Sequence, residues 1–156
     1  MNRINSSFKK EGGSFMAISQ PNPKVPPTNR LSCESMLFGG IPTKPVPQYD
    51  RIWLEQFSTH IHQNFSDSGL RIPDLAERFT TSESSLLRRV KRLTGLTPAQ
   101  FLRQIRLQYA MTYLQEGTYD SIREVAYKVG YQSIDGFSRK FKQQFHKLPS
   151  ELLNSN

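Results

Sequence analysis

Apolar residues recur every three to four positions from residue 50 onward, and no such period is visible before it. Trp53, Phe57, Ile61 and Phe65 stand four apart, which puts them on one face of an amphipathic helix that begins at Asp50. Ser66-Asp67-Ser68-Gly69 ends it with turn formers. A short helix is predicted from about Pro73 to Phe79, presenting Leu75, Ala76 and Phe79. Thr80 and Thr81 make a tight turn. Ser82 caps a helix whose inner stripe is Leu86, Val90 and Leu93 and which Gly95 ends. Thr97-Pro98 opens a longer helix to about Gln115, stopped by Gly117, with Phe101, Ile105, Tyr109 or Ala110, and Leu114 on its apolar face. Ser121 and Glu124 predict a capping box for a short helix through Val129. After the turn Gly130-Tyr131-Gln132, Ser133 caps a helix carrying Phe137, Phe141 and Phe145, and Pro149 starts a last helical turn. No segment alternates apolar and polar residues long enough for a strand, so the fold class is all-α.

The stretch before this pattern is different in kind. Seven of the ten prolines (Pro21, Pro23, Pro26, Pro27, Pro42, Pro45, Pro47) precede Tyr49, together with Gly12, Gly13, Gly39 and Gly40. Such a stretch has too little apolar bulk to offset ordering entropy, so residues 1–48 read as a disordered segment or linker. The other reading is that part of it is the remnant of a larger upstream domain.

The helical part repeats itself. Leu75, Ala76 and Phe79 correspond to Val125, Ala126 and Val129 at an offset of 50. After one inserted residue, Ser82, Leu86, Arg88, Val90 and Lys91 correspond to Ser133, Phe137, Arg139, Phe141 and Lys142 at an offset of 51. Each copy is a short helix, a tight turn and a longer capped helix, the helix-turn-helix layout in which the second helix can lie in a major groove. A bundle of paired helices with no ligand shares that outline, so charge placement has to decide. The chain carries +8, but residues 50–156 hold 15 bases against 11 acids, net +4. The runs Glu83 to Leu93 and Ile134 to Leu148 each carry net +3, so the rest of the domain sums to −2. Positive charge is concentrated on the second helix of each copy, where a polyanion would lie.

Other chemistry is thinly represented. One cysteine, Cys33, excludes an internal disulfide framework and a multi-cysteine zinc site, and fits a reducing cytosol. No apolar run approaches the roughly 18 residues of a membrane span, and residues 1–20 lack the apolar core of a secretion signal, so a soluble cytoplasmic product is expected. His60 and His62 point to different helix faces without a ligand partner at metal spacing. Tyr127 and Tyr131 lie near the basic side but are read as core from their helical spacing. Without a glycine-rich phosphate loop or a nucleophile and base constellation, no enzyme, cofactor or metal is expected.

The spaced residues resemble the DNA-binding domain of the AraC/XylS family of bacterial transcription regulators across nearly all of residues 50–153. The matches run through Leu75-Ala76, Ser82 with Leu86 and Arg88, and Leu93-Thr94-Gly95-Leu96-Thr97-Pro98. They continue through Phe101-Leu102, Arg106-Leu107, Ala110 and Leu114, then Ile122, Val125-Ala126, Gly130-Tyr131, Ser133, Phe137-Ser138-Arg139, Phe141-Lys142 and Pro149. The resemblance implies two helix-turn-helix subdomains joined by a long helix from Thr97 to Gln115. Two recognition helices, about residues 82–94 and 133–146, would then enter successive major grooves of duplex DNA about 34 Å apart. It implies Ser84, Leu87 and Arg88 as base readers in the first unit, and Ile134, Asp135 and Arg139 in the second. Lys91, Arg92 and Lys142 turn toward phosphate, joined from the same basic runs by Arg89 and Lys140. Arg106 is expected to be structural, fixing the linking helix.

Several residues depart from the family pattern: Gly136 inside the second recognition helix, Asp135 beside the phosphates, His146 where a glycine usually ends that helix, Leu148 where a small hydroxyl residue is usual, and Leu152 in place of an aromatic. They support a rival reading, a protein-interaction domain that has lost base reading. A third reading, single-strand binding, would want exposed aromatics where Phe137, Phe141 and Phe145 are expected to be buried. RNA polymerase is an expected partner. Members of the family couple this domain to a sensor or receiver, here expected upstream and outside the chain.

Overall fold

The computed structural model describes residues 46–153; the expected disorder before residue 46 and the thiol of Cys33 fall outside the described residues. Seven helices follow one another in this span: α1 (Gln48–Asn64), α2 (Ile72–Arg78), α3 (Glu83–Thr94), α4 (Pro98–Gln115), α5 (Ile122–Lys128), α6 (Ile134–Phe145) and α7 (Pro149–Leu153). No strand occurs among the described residues. Helix α1 starts two residues before the point at which the apolar period begins, because Pro47 supplies the carbonyl that accepts the Asp50 and Arg51 amides at 2.9 and 3.1 Å.

Local chemistry accounts for most boundaries. Ser82, Thr97, Ser121 and Ser133 each accept the amide three residues on, satisfying a donor that the first turn leaves orphaned. Thr97 and Gln100 form a reciprocal capping box, with the Thr97 amide donating to Gln100 Oε1 at 2.8 Å. At Ser121 only the serine half of the predicted box is found among the described hydrogen bonds. Asp74 accepts from the Arg71 amide at 2.9 Å and so caps α2 with an acid at its N-terminus.

Trp53, Phe57, Ile61 and Phe65 are all buried, as the four-residue spacing requires. Helix α4 exceeds its predicted single face: Leu102, Leu107 and Tyr113 are buried along with Phe101, Ile105, Tyr109, Ala110 and Leu114. The reason is tertiary. Helices α1 and α3 pack against α4 from the first unit and α5, α6 and α7 from the second, so burial spreads well beyond one narrow face while Gln100, Gln104, Gln108 and Gln115 keep a partly exposed side.

The two units meet through Arg106 in the middle of α4. Its Nε donates to the Phe65 carbonyl at 2.8 Å and its Nη2 to the Asp67 carbonyl at 2.7 Å, satisfying acceptors at the C-terminal end of α1. From the second unit, the backbone of Gly130 closes over the same spot. A Cβ there would sit 2.7 Å from the Phe65 carbonyl oxygen and 3.0 Å from the guanidinium. Gly130 also has φ +82, the left-handed conformation in which its turn needs glycine. Its counterpart in the first unit is Thr80, at φ 51, and the turns share one bonding pattern. Thr81 N–H donates to the Ala76 carbonyl as Tyr131 N–H donates to the Ala126 carbonyl, both at 2.9 Å.

The two histidines of α1 are packing residues that carry a pH signature. Burial holds His62 below the ordinary imidazole value of 6.5, and its Nδ1 lies 3.2 Å from the Tyr109 hydroxyl. Burial, then the charge of Arg78, lowers His60, whose ring meets Phe79 edge-on at 6.0 Å. A group whose folded pKa is depressed contributes stability above its unfolded pKa and loses it as pH falls through the folded value. Melting midpoints should therefore hold above about pH 6.5 and fall as pH drops below it, with His62→Gln flattening part of that dependence. Parallel curves for wild type and His62→Gln would remove His62 as a cause.

Candidate nucleic-acid interface

Helix α3 is held by Leu86, Val90 and Leu93 on its inner side, all buried. By the i, i+3, i+4, i+7 rule the face turned away from that stripe carries Ser84, Leu87, Arg88 and Lys91. All four are exposed, and Leu87 is a large apolar side chain left 43% open. The Arg88 guanidinium stands 3.5 Å from Ser85 Oγ, its one recorded contact. Of the residues expected to read bases in the first unit, all three thus share one open face, with Lys91 one turn farther on.

Arg89 is used differently from the expectation. Its Nε and Nη2 donate to Asp50 Oδ1 of α1 at 3.2 and 2.9 Å, and its guanidinium covers the Trp53 ring at 4.2 Å and the Tyr49 ring at 4.8 Å. The side chain retains 23% exposure. The charge of the run does not distinguish its cations, but Arg89 falls on the flank of α3 that faces α1, where Asp50 and the two rings hold it away from the position expected for a phosphate contact. Arg92 lies on the same flank farther toward solvent. It donates to Asp50 Oδ2 at 3.1 Å while its side chain stays 58% exposed. Burial alone pushes the Asp50 carboxyl up, but hydrogen bonds from Arg92 and Arg89 and their charges outweigh it and hold the group below its ordinary value.

Helix α6 repeats the construction with different flanks. Phe137 and Phe141 are fully buried, Phe145 packs against Phe141 at 4.7 Å, and Asp135, Arg139 and Lys142 are exposed at i, i+4, i+7. Arg139 Nε donates to the Asp135 carbonyl at 3.4 Å. Lys140, the counterpart of Arg89, is exposed and donates to Gln143 Oε1 at 3.3 Å. Ile134 is half-buried and its counterpart in α3 is Glu83. The counterpart of Leu87 is Ser138, half-buried, which residue-by-residue matching missed although the offset of 51 points to it. A side chain at Gly136 would meet only Ser133, at 3.6 Å, so packing does not demand glycine there. His146 ends α6 at φ 58, the left-handed position that a glycine would occupy without strain.

Tyr131 packs edge-on against Phe137 at 5.4 Å, in keeping with its assignment to the core. Tyr127 does not follow that assignment. It is 46% exposed, with the Arg123 guanidinium 5.6 Å above its ring, because α5 is too short to bury more than Val125 and Ala126 and leaves its outer side to water. Among the described residues no three His, Cys, Asp or Glu side chains are grouped closely enough to hold a metal ion, and no helix is long and apolar enough to cross a membrane.

Comparison with known proteins bears on this arrangement. A family described as "Helix-turn-helix domain" matches residues 75–155. The chain is 34% identical over 102 residues to the HTH-type transcriptional regulator MtrA of Neisseria gonorrhoeae, covering 64% of this chain and 34% of that protein. It is 32% identical over 99 residues to the HTH-type transcriptional activator RhaS of Yersinia pestis (strain Pestoides F), covering 64% and 36%. The chain spans about a third of the length of the curated relatives it matches. Among solved structures it is similar to the C-terminal domain of AraT, a response regulator from Geobacillus stearothermophilus, at 26% identity and a TM-score of 0.62, covering 72% of this chain and 89% of that one. It is also similar to the DNA-binding domain of AdpA, a global transcriptional factor solved in complex with a target DNA, at 25% identity and a TM-score of 0.60, covering 65% and 89%.

Proposed function

The chain belongs to the AraC/XylS type of the helix-turn-helix family, and from that premise we propose that it is a sequence-specific double-stranded DNA-binding transcription regulator that inserts α3 and α6 into successive major grooves. One observation supports this most. The same capped, cation-bearing helix is built twice, and each copy turns its polar residues away from a buried stripe onto an open face.

In this reading Ser84, Leu87, Arg88, Asp135 and Arg139 meet base edges, with Ser138 added and Ile134 at the margin. Lys91, Arg92, Lys140 and Lys142 meet phosphates. The relatives named above are transcription regulators, and the reading extends to an act of binding without catalysis, in the cytoplasm. RNA polymerase is the second macromolecular partner, and a sensor or receiver domain supplies the signal.

A mobility shift with random duplex across a salt series tests the reading. Four phosphate contacts give a slope of roughly −3 to −4 in log affinity against log salt. Selection of bound sequences should then yield a motif preferred over random duplex. Equal retention of random and selected duplex at every ionic strength, or of neither, would leave the rival protein-interaction domain standing.

A further inference from the structure

Three basic residues lie on or beside the open face of α3, and the fold treats them unequally. Lys91 is exposed, Arg89 is folded back onto α1, and Arg92 is shared between Asp50 and solvent. The carboxylate that divides them is 11% exposed and takes three N–H bonds, two from Arg89 and one from Arg92. Arg89 also lies over Trp53 and Tyr49, so its guanidinium is held back on the first turns of α1. Arg92 keeps most of its donors free: a guanidinium has five N–H groups, and Asp50 takes one. The equivalent flank of α6 is built differently. There Lys140 reaches only Gln143, the counterpart of Arg92.

From this juxtaposition we infer that Asp50 is a positioning residue of the DNA interface, one that withdraws Arg89 and aims the remaining donors of Arg92 at a backbone phosphate. The inference rests on the DNA-binding reading above. An arginine side chain loses rotamer entropy on making an ordered contact, and a fixed carboxylate at its side removes part of that loss before the phosphate arrives. A phosphate can accept from the outer N–H groups of Arg92 without displacing Asp50. The acid therefore strengthens binding to a polyanion despite its own negative charge. A second consequence concerns α1: through Asp50 its first turn and the recognition helix share two ion pairs, to Arg89 and to Arg92.

The sign of one substitution separates positioning from plain electrostatics. Asp50→Asn removes a negative charge beside DNA, so by charge alone it tightens binding and steepens the salt slope. If Asp50 positions Arg92, Asp50→Asn in the full chain binds a selected duplex more weakly, by about fivefold at 0.15 M salt, and the slope is shallower by about 0.9, one phosphate contact. In an Arg92→Gln background the same change should have little further effect, because the residue it acts through is gone. Melting midpoints are read in parallel. Asp50→Ser serves as a second variant that removes the charge without setting an amide donor against two guanidiniums. Tighter binding by both folded variants, or an equal loss with and without Arg92, overturns the inference while leaving the DNA-binding reading intact. Failure of the wild-type chain to hold any duplex overturns both.

Discussion

Gly130→Ala is expected to destabilise the domain by about 2 to 5 kcal/mol, the largest effect of any single-methyl addition in the fold. Two costs combine. The residue sits at φ +82, where a Cβ costs about 1 to 2 kcal/mol. The methyl would also lie 2.7 Å from the Phe65 carbonyl oxygen, which cannot retreat cheaply because it is backbone at the end of α1 and already accepts Arg106 Nε at 2.8 Å. Either the turn before α6 or the end of α1 has to move, and movement lengthens the Arg106 bonds that join the two units. For a domain of this size each kcal/mol shifts the melting midpoint by about 4 to 8 °C, so a drop of at least about 10 °C should be seen.

Gly95 supplies the control. It ends α3 at φ +75, yet a Cβ there meets nothing within 4 Å. Gly95→Ala should therefore lose only the conformational part, about 1 to 2 kcal/mol. Equal losses at the two glycines would mean that the close approach over Arg106 does not exist in solution. A double variant with Arg106→Ala sharpens the comparison, since removing the guanidinium opens space and should reduce the penalty at Gly130 below the sum of the separate effects.

That junction also shows where sequence reading stops. The caps at Ser82, Thr97 and Ser133, the helix end at Gly95, and the four-residue stripe of α1 are local, decided within one helical turn. All of them were legible, as was the internal repeat, which placed α3 and α6 in equivalent roles. The breadth of the buried face of α4 was not. Leu102, Leu107 and Tyr113 become core only because two units pack on one helix, and periodicity records a single face at a time. Arg89 was misplaced for the same reason. Its partner Asp50 lies 39 residues earlier, and nothing near either residue announces the pairing. Gly130 was readable as a turn former, but its closeness to a carbonyl from the other unit was not.

Arg88→Ala is expected to erase most of the preference for a selected sequence over random duplex, a loss of about 1 to 3 kcal/mol or roughly 5- to 150-fold in the affinity ratio. Arg88 is exposed at the centre of the open face of α3, between Ser84 and Lys91, and its recorded contact is a 3.5 Å approach to Ser85 Oγ. Its planar donor fork is therefore free to take the two acceptors of a guanine edge. The face around it carries no acid, and Leu87 at 43% exposure offers an apolar surface for a thymine methyl.

Arg139 is the same residue at the same place in the repeat, but its surroundings differ. Its Nε is directed to the Asp135 carbonyl at 3.4 Å, and the Asp135 carboxylate stands one turn before it on the exposed face. Gly136 in the first turn of α6 costs roughly 1 kcal/mol of helix stability against alanine. A reading head that is partly tethered, opposed by a carboxylate and set on a looser turn discriminates less. Arg139→Ala should then weaken selected and random duplex by similar factors, chiefly through the lost positive charge, while Arg88→Ala spares random duplex more than selected duplex. Affinities of both variants for both duplexes at one fixed salt concentration decide the matter. If Arg139→Ala abolished preference while Arg88→Ala lowered the two affinities in parallel, the assignment of reading to the first unit would have to be reversed.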